Sequence, residues 1–137
     1  MNDREALAAM AAFLPRLKAN GASFGEFVEP KKIRDRTYTM PYWRSCDLAD
    51  DFVEMAYREG WVQKVDWVAW AATATGRSLL HQPGAVEDAD LAQLRYLITA
   101  LIRKDRFVDG TLVAAFESGL LLRVAARADA LLRRPLA

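Results

Sequence analysis

Along residues 91–102 apolar side chains recur at three- and four-residue steps, at Leu91, Leu94, Leu97, Ile98, Leu101 and Ile102. That spacing is the stripe of a helix turned toward a core. Arg103-Lys104-Asp105-Arg106 then places a run of charge across the pattern. Phe107 and Val108 return to apolar, Asp109-Gly110 breaks the chain direction, and Leu112, Val113, Phe116 and Leu120 restart the helical spacing. The pattern predicts two helices folded back on each other around an ionic bend.

The same test divides the rest of the chain. Leu7, Met10, Leu14 and Leu17 share one face of a helix over residues 3–18, capped by Asn2 or Asp3 and kinked or ended near Leu14 by Pro15. Asn20-Gly21 stops it. Periodicity is lost from 21 to 43, where residues 23–29 and 37–42 look extended, so a small β-hairpin or an irregular segment near residues 22–43 is expected. Ser45 or Asp47 caps a helix with Leu48, Phe52, Met55 and Ala56 on one face, ended by Gly60. Asp66 caps a short helix to about Thr75, closed by Gly76. Pro83-Gly84 signals a turn, and Glu87-Asp88 puts negative charge at the start of a long helix over residues 88–104. A last helix, 120–133, either continues from 111–118 or hinges at Gly119. These elements describe a mainly α fold: a single compact helical domain of five or six helices, with residues 1–45 an N-terminal helix plus irregular segment and 46–137 a helical core.

At 137 residues, 53% hydrophobic and 27% charged, the chain has the makeup of a globular domain, long enough to bury about two-thirds of its unfolded surface. The lone cysteine, Cys46, has no internal disulfide partner, which suits a reducing compartment. Neither a leader pattern nor an apolar run of about 18 residues is visible, so the expected location is cytoplasmic, with no membrane contact. Net charge is +1, and any strong field must come from local clusters. Lys31, Lys32, Arg34, Arg36 and Arg44 stand against Asp35 alone, and the next segment reverses the sign with Asp47, Asp50, Asp51, Glu54 and Glu59 against Arg58. The tail is basic again through Arg123, Arg127, Arg133 and Arg134.

Little of this chemistry points to catalysis. A transition-metal site draws on His and Cys, and the chain has only His81 and Cys46. Acids at 47, 50, 51 and 54 on one helix suit its N-terminal dipole better than a hard cation. No nucleophile elbow surrounds Ser78 or Ser118, no phosphate-cradling glycine loop is present, and His81 reads as an exposed loop residue. No catalytic residue, metal or cofactor is expected.

Aromatic residues are the stronger signal. Trp61, Trp67, Trp70 and Tyr57 fall close together, with Trp67 and Trp70 on one helical face and Trp61, Val65, Val68 and Ala72 on another. Either tryptophan packs on several sides of one core, or one face leaves indoles at the surface, where binding hot spots concentrate. In the bend, Asp105 either accepts from turn amides and pairs with Arg103 or Arg106, or the arginines face outward to fork a ligand carboxylate or phosphate. Glu117 is placed to answer Arg106 across the hairpin.

Over residues 57–132 the chain resembles an uncharacterised bacterial domain family of unknown function. The resemblance rests on Tyr57 with Gly60-Trp61-Val62, Asp66-Trp67 with Trp70, Ala89-Asp90-Leu91 with Leu94-Arg95, and Arg103 with Asp105-Arg106-Phe107, Gly110, Leu112, Ala115-Phe116-Glu117 and Gly119. Members often carry an acid where Thr73 or Ala74 stands and a histidine at Thr111, so this chain departs there. The first 45 residues add nothing to the resemblance. It implies a fold and suspect residues, and no activity. The function expected is a non-catalytic helical binding or accessory module that contacts another protein, with a homodimer as one form of that contact, through Trp67, Trp70, Tyr57, Arg103, Asp105, Arg106 and Glu117. One alternative is nucleic-acid contact through Lys31, Lys32, Arg34, Arg36, Trp43 and Arg44, with Tyr38 and Tyr42 for stacking. Another is an enzyme acting on a small acidic substrate around Asp105, Arg106 and Glu117.

Overall fold

The Asn2 side chain accepts the Arg4 amide at 2.8 Å, so the first helix, α1 (Asp3–Ala11), begins where an acceptor meets its unpaired amides. The computed structural model describes residues 2–19, 22–28, 32–34, 37–38, 42–108 and 110–134, with the side chains of 25–45 and of Pro83 outside that description. Ala6, Leu7 and Met10 form the buried face of α1. The helix does not run to residue 18. It stops in a turn at Ala12 and Phe13, and α2 (Leu14–Lys18) starts afresh with Pro15 in its first turn, where a missing N–H leaves no helical bond unmade.

Backbone pairing of the hairpin type follows. The strand β1 (Gly25–Val28) runs antiparallel to β4 (Tyr42–Ser45), from Gly25↔Ser45 to Val28↔Tyr42. Between them in sequence, β2 (Lys32–Arg34) pairs with β3 (Thr37–Tyr38) in an irregular register. Phe24, just before β1, is buried; its ring stacks on Phe116 at 4.8 Å and tilts against Phe52 at 5.6 Å.

Helix α3 (Asp47–Arg58) buries Leu48, Ala49, Phe52, Met55 and Ala56. Neither Ser45 nor Asp47 caps it. The cap position is Cys46, in extended backbone with no side-chain bond, and Asp47 and Asp50 act as first-turn negative charge instead. Gly60, at φ 76, ends the helix: the Trp61 amide reaches back to the Ala56 carbonyl at 2.8 Å and the Gly60 amide to Tyr57 at 3.5 Å. This is the Schellman arrangement, which favours glycine at its left-handed residue.

Trp61 then enters the core completely. Its indole N–H donates to the Ala6 carbonyl at 3.0 Å. The Thr99 hydroxyl donates to the Trp61 carbonyl at 3.1 Å and accepts the Gln63 amide at 3.1 Å. Thr99 is buried, and both bonds keep its hydroxyl satisfied.

Asp66 caps α4 (Trp67–Ala71), accepting the Ala69 amide at 3.0 Å. The helix is shorter than the sequence suggests. Thr73 intervenes, donating to the Trp70 carbonyl at 2.6 Å and accepting the Gly76 amide at 3.0 Å, and so caps a new helix, α5 (Ala74–His81). Gly76 therefore closes nothing; it lies buried in the first turn of α5, where an added Cβ would fall 2.1 Å from the Trp70 carbonyl oxygen. His81 is the last residue of α5 rather than a loop residue.

A 3₁₀ helix, Pro83–Asp88, leads to Asp90, which forms a capping box with Gln93 at 2.8 and 2.9 Å and starts α6 (Leu91–Asp105). Every residue from Leu97 to Ile102 is buried, so α6 runs through the middle of the core. The last two helices, α7 (Thr111–Glu117) and α8 (Leu120–Leu132), are divided at Gly119, φ 84. Helix α7 packs back on α6, and α8 lies along α1 and α2, which sets the first and last helices side by side. The fold is mainly helical, as expected, but the described residues hold eight α-helices rather than five or six. The split at Phe13 and the unforeseen α5 account for the difference.

Candidate functional site

Where α6 ends, the Phe107 and Val108 amides both bond to the Lys104 carbonyl at 2.9 Å. That tight turn carries the two side chains outward: Phe107 is 80% exposed and Val108 53%. Val68, on the neighbouring α4, is 61% exposed. Between them lies a cavity of about 320 Å³ lined by Trp67, Val68, Ala71, Ala100 and Phe107 among others. A second cavity of about 570 Å³ shares Ala71, Leu80, Lys104 and Val108 with the first and continues along α7 past Ala114 to Leu120. The two make one apolar groove between α4, α5 and the α6–α7 bend. Among the described residues, Lys104 is the charged side chain that lines both parts, and His81 lines the larger.

The bend is held from within. Gly110, at φ 95, precedes α7 and has no side chain to cap it; the Asp105 carboxylate accepts the Leu112 amide at 3.1 Å instead. The Thr111 hydroxyl donates to the Val108 carbonyl at 2.8 Å. Asp105 thus accepts a turn amide, one half of the structural expectation for the bend; no ion pair joins it to Arg103 or Arg106 among the described residues. It lines a third cavity, about 380 Å³, with Asp50 and Glu54.

The other residues singled out in the sequence are distributed over several places. Trp67 is half-buried in the groove wall. Trp70 stacks on Tyr96 with ring centroids 5.4 Å apart and planes at 9°, against α6. The supposed shared face of Trp67 and Trp70 is therefore divided between groove and core. The other supposed face does not form, because Trp61 is buried ahead of the helix while Val68 faces out. Arg106 donates to the Tyr57 hydroxyl at 2.6 Å with its guanidinium 5.8 Å from the ring centroid, so it answers Tyr57 and not Glu117. Glu117 is exposed at the end of α7, and Arg103 is half-buried in the last turn of α6.

Lys31 and Arg36 lie outside the described residues; Lys32, Arg34, Trp43 and Arg44 sit on strands whose side chains lie outside them too. Of the α3 acids, Asp51 pairs with Arg16 at 2.9 Å and Glu54 with Arg58 at 3.7 Å. Among the described residues no group of three His, Cys, Asp or Glu side chains is placed to hold a metal ion, and no helix is long and apolar enough to cross a membrane. Sequence reasoning missed Val68, Lys104, Phe107 and Val108 as a group. The available signal was the apolar pair Phe107-Val108 set in a charged bend, where neither helix needs it for its buried stripe.

The model of a family described as "Family of unknown function (DUF6508)" matches residues 2–134, and the chain belongs to that family. The match extends well beyond residues 57–132 and takes in the N-terminal part that the motifs left unassigned. No curated protein and no solved structure gives a significant match. Thr73 and Thr111 hold structural roles here: Thr73 caps α5, and Thr111 ties the α6–α7 bend.

Proposed function

We propose that the protein is a non-catalytic binding module of the bacterial cytoplasm that holds a segment of another protein in the groove between α4, α5 and the α6–α7 bend. The observation that carries this reading is the exposure of Phe107, Val108 and Val68 around one concave apolar surface. Exposed apolar side chains gathered around a hollow, rather than scattered singly, are the pattern that goes with interaction sites. Trp67 in the wall adds the residue type most enriched at interface hot spots. The enzymatic alternative has less support: Asp105 faces a cavity it shares with Asp50 and Glu54, so a small acidic substrate would meet carboxylates there, while Arg106 is engaged by Tyr57.

The test is affinity capture from the native host with the tagged protein, followed by identification of what is held. Wild type is expected to retain a defined partner and the double variant Val68→Ser, Phe107→Ser to lose it while melting at the same temperature. A partner retained equally by both would place the contact elsewhere.

A further inference from the structure

Building on the binding-module reading, we infer that the segment held in the groove is an acidic amphipathic helix of the partner. Among the described residues the lining of the groove comes from helices, α4, α5, α6, α7 and the first residue of α8, and from the bend at Phe107, Val108 and Gly110. Helical walls offer no unpaired strand edge. An extended segment laid over Trp67, Ala71, Ala100 and Phe107 would leave its own backbone N–H and C=O groups facing apolar carbon, whereas a helix satisfies them internally.

Charge then selects the kind of helix. Lys104, exposed, lines both hollows, and no acid stands among their described lining residues; Arg103 and Arg106, in the same turn, line neither, and Arg106 is engaged by Tyr57. Asp105, within that turn, is held by the Leu112 amide and lines the other cavity, with Asp50 and Glu54; Asp109 lies outside the described residues. Acids flanking the apolar stripe of the incoming helix would meet Lys104 across the rim. A second copy of this chain fits less well. An isologous contact over this patch brings two Lys104 side chains into one interface with no acid among the described lining residues to answer them.

A phage-displayed library of random peptides about four helical turns long, panned on the full-length protein, tests this. Enriched sequences are expected to carry apolar residues at three- and four-residue spacing with Asp and Glu in excess over Lys and Arg, and to gain helical circular dichroism on binding. They should bind Phe107→Ser and Val68→Ser at least tenfold more weakly than wild type. Lys104→Glu should lower their affinity at least fivefold, and exchanging their acids for lysine should restore binding to that variant. Enriched peptides that need Phe107 but are extended, proline-rich or basic overturn the inference and leave the groove reading standing. A concentration-dependent dimer in sedimentation, abolished by Phe107→Ser, assigns the groove to a second copy and also overturns it. If neither a Phe107-dependent peptide nor a dimer is found, both readings fall.

Discussion

The Asp105 carboxylate accepts the Leu112 amide at 3.1 Å, so the start of α7 is capped by the residue that ends α6. Because Gly110 has no side chain, that bond supplies the acceptor at the start of α7, and with the Thr111 hydroxyl on the Val108 carbonyl it ties the bend that carries Phe107 and Val108. Replacing an N-terminal acceptor by alanine typically costs about 1 kcal/mol. Asp105→Ala is therefore expected to lower the melting temperature by about 3 °C, while Asp105→Asn, which keeps an acceptor oxygen, should recover most of the loss. Thermal denaturation followed by circular dichroism decides; an unchanged melting point for the alanine variant would show that the bend is held by other contacts.

Gly76 and Gly84 make a matched pair. A Cβ at Gly76 would sit 2.1 Å from the Trp70 carbonyl oxygen, which as backbone has little freedom to yield, whereas one at Gly84 meets nothing within 4 Å. Overpacking of the first kind costs about 1–3 kcal/mol, so Gly76→Ala should shift the urea midpoint clearly downward and Gly84→Ala leave it in place. Equal midpoints would mean that α4 and α5 do not approach as closely as described.

Trp61 joins two distant parts of the sequence, its side chain bonded to α1 through Ala6 and its carbonyl to α6 through Thr99. Truncating a fully buried tryptophan to alanine costs about 3–5 kcal/mol, a large part of the 5–15 kcal/mol that holds a typical domain. Trp61→Phe keeps the apolar ring but removes the donor, and about 2 kcal/mol is expected from the lost bond and the unfilled space. Chemical denaturation with fluorescence detection reads both effects, since the variant should also lose the blue-shifted emission of a fully buried indole.

Much of this architecture is visible in the order of apolar and polar positions. The stripe from Leu91 to Ile102 lies on one central helix, and the hinge offered as an alternative at Gly119 is present because a residue at φ 84 ends α7. What sequence reading misplaces depends on contacts between distant residues. Gly76 looks like a helix terminator until the Trp70 carbonyl is seen against it, and Asp105 is legible as an acceptor for turn amides while the particular amide, Leu112, is picked out only by the folded bend. Trp67 and Trp70 share a face by spacing, yet one reaches the groove and the other stacks on Tyr96, a division set by where α6 lies. The groove is less legible still, because it is composed of exposed apolar residues from three segments that periodicity treats as leftovers.

That division of the tryptophans separates stability from binding. Trp70 is half-buried and stacked on Tyr96, an aromatic contact that contributes about 0.5–1.5 kcal/mol beyond the area it covers, so Trp70→Ala should destabilise the domain measurably. Phe107, at 80% exposure, has almost no buried area to lose, and substitutions at such sites usually change stability by no more than about 0.5 kcal/mol. Phe107→Ser is expected to melt with wild type and to stay soluble at higher concentration, since it removes the most exposed large apolar side chain on the described surface. Alanine at Trp67 and Trp70 together would confound the two effects; Phe107→Ser and Trp70→Ala, compared in the same melting and capture assays, keep them apart. If Phe107→Ser instead unfolds the domain, the side chain belongs to the core and the groove loses its most prominent wall.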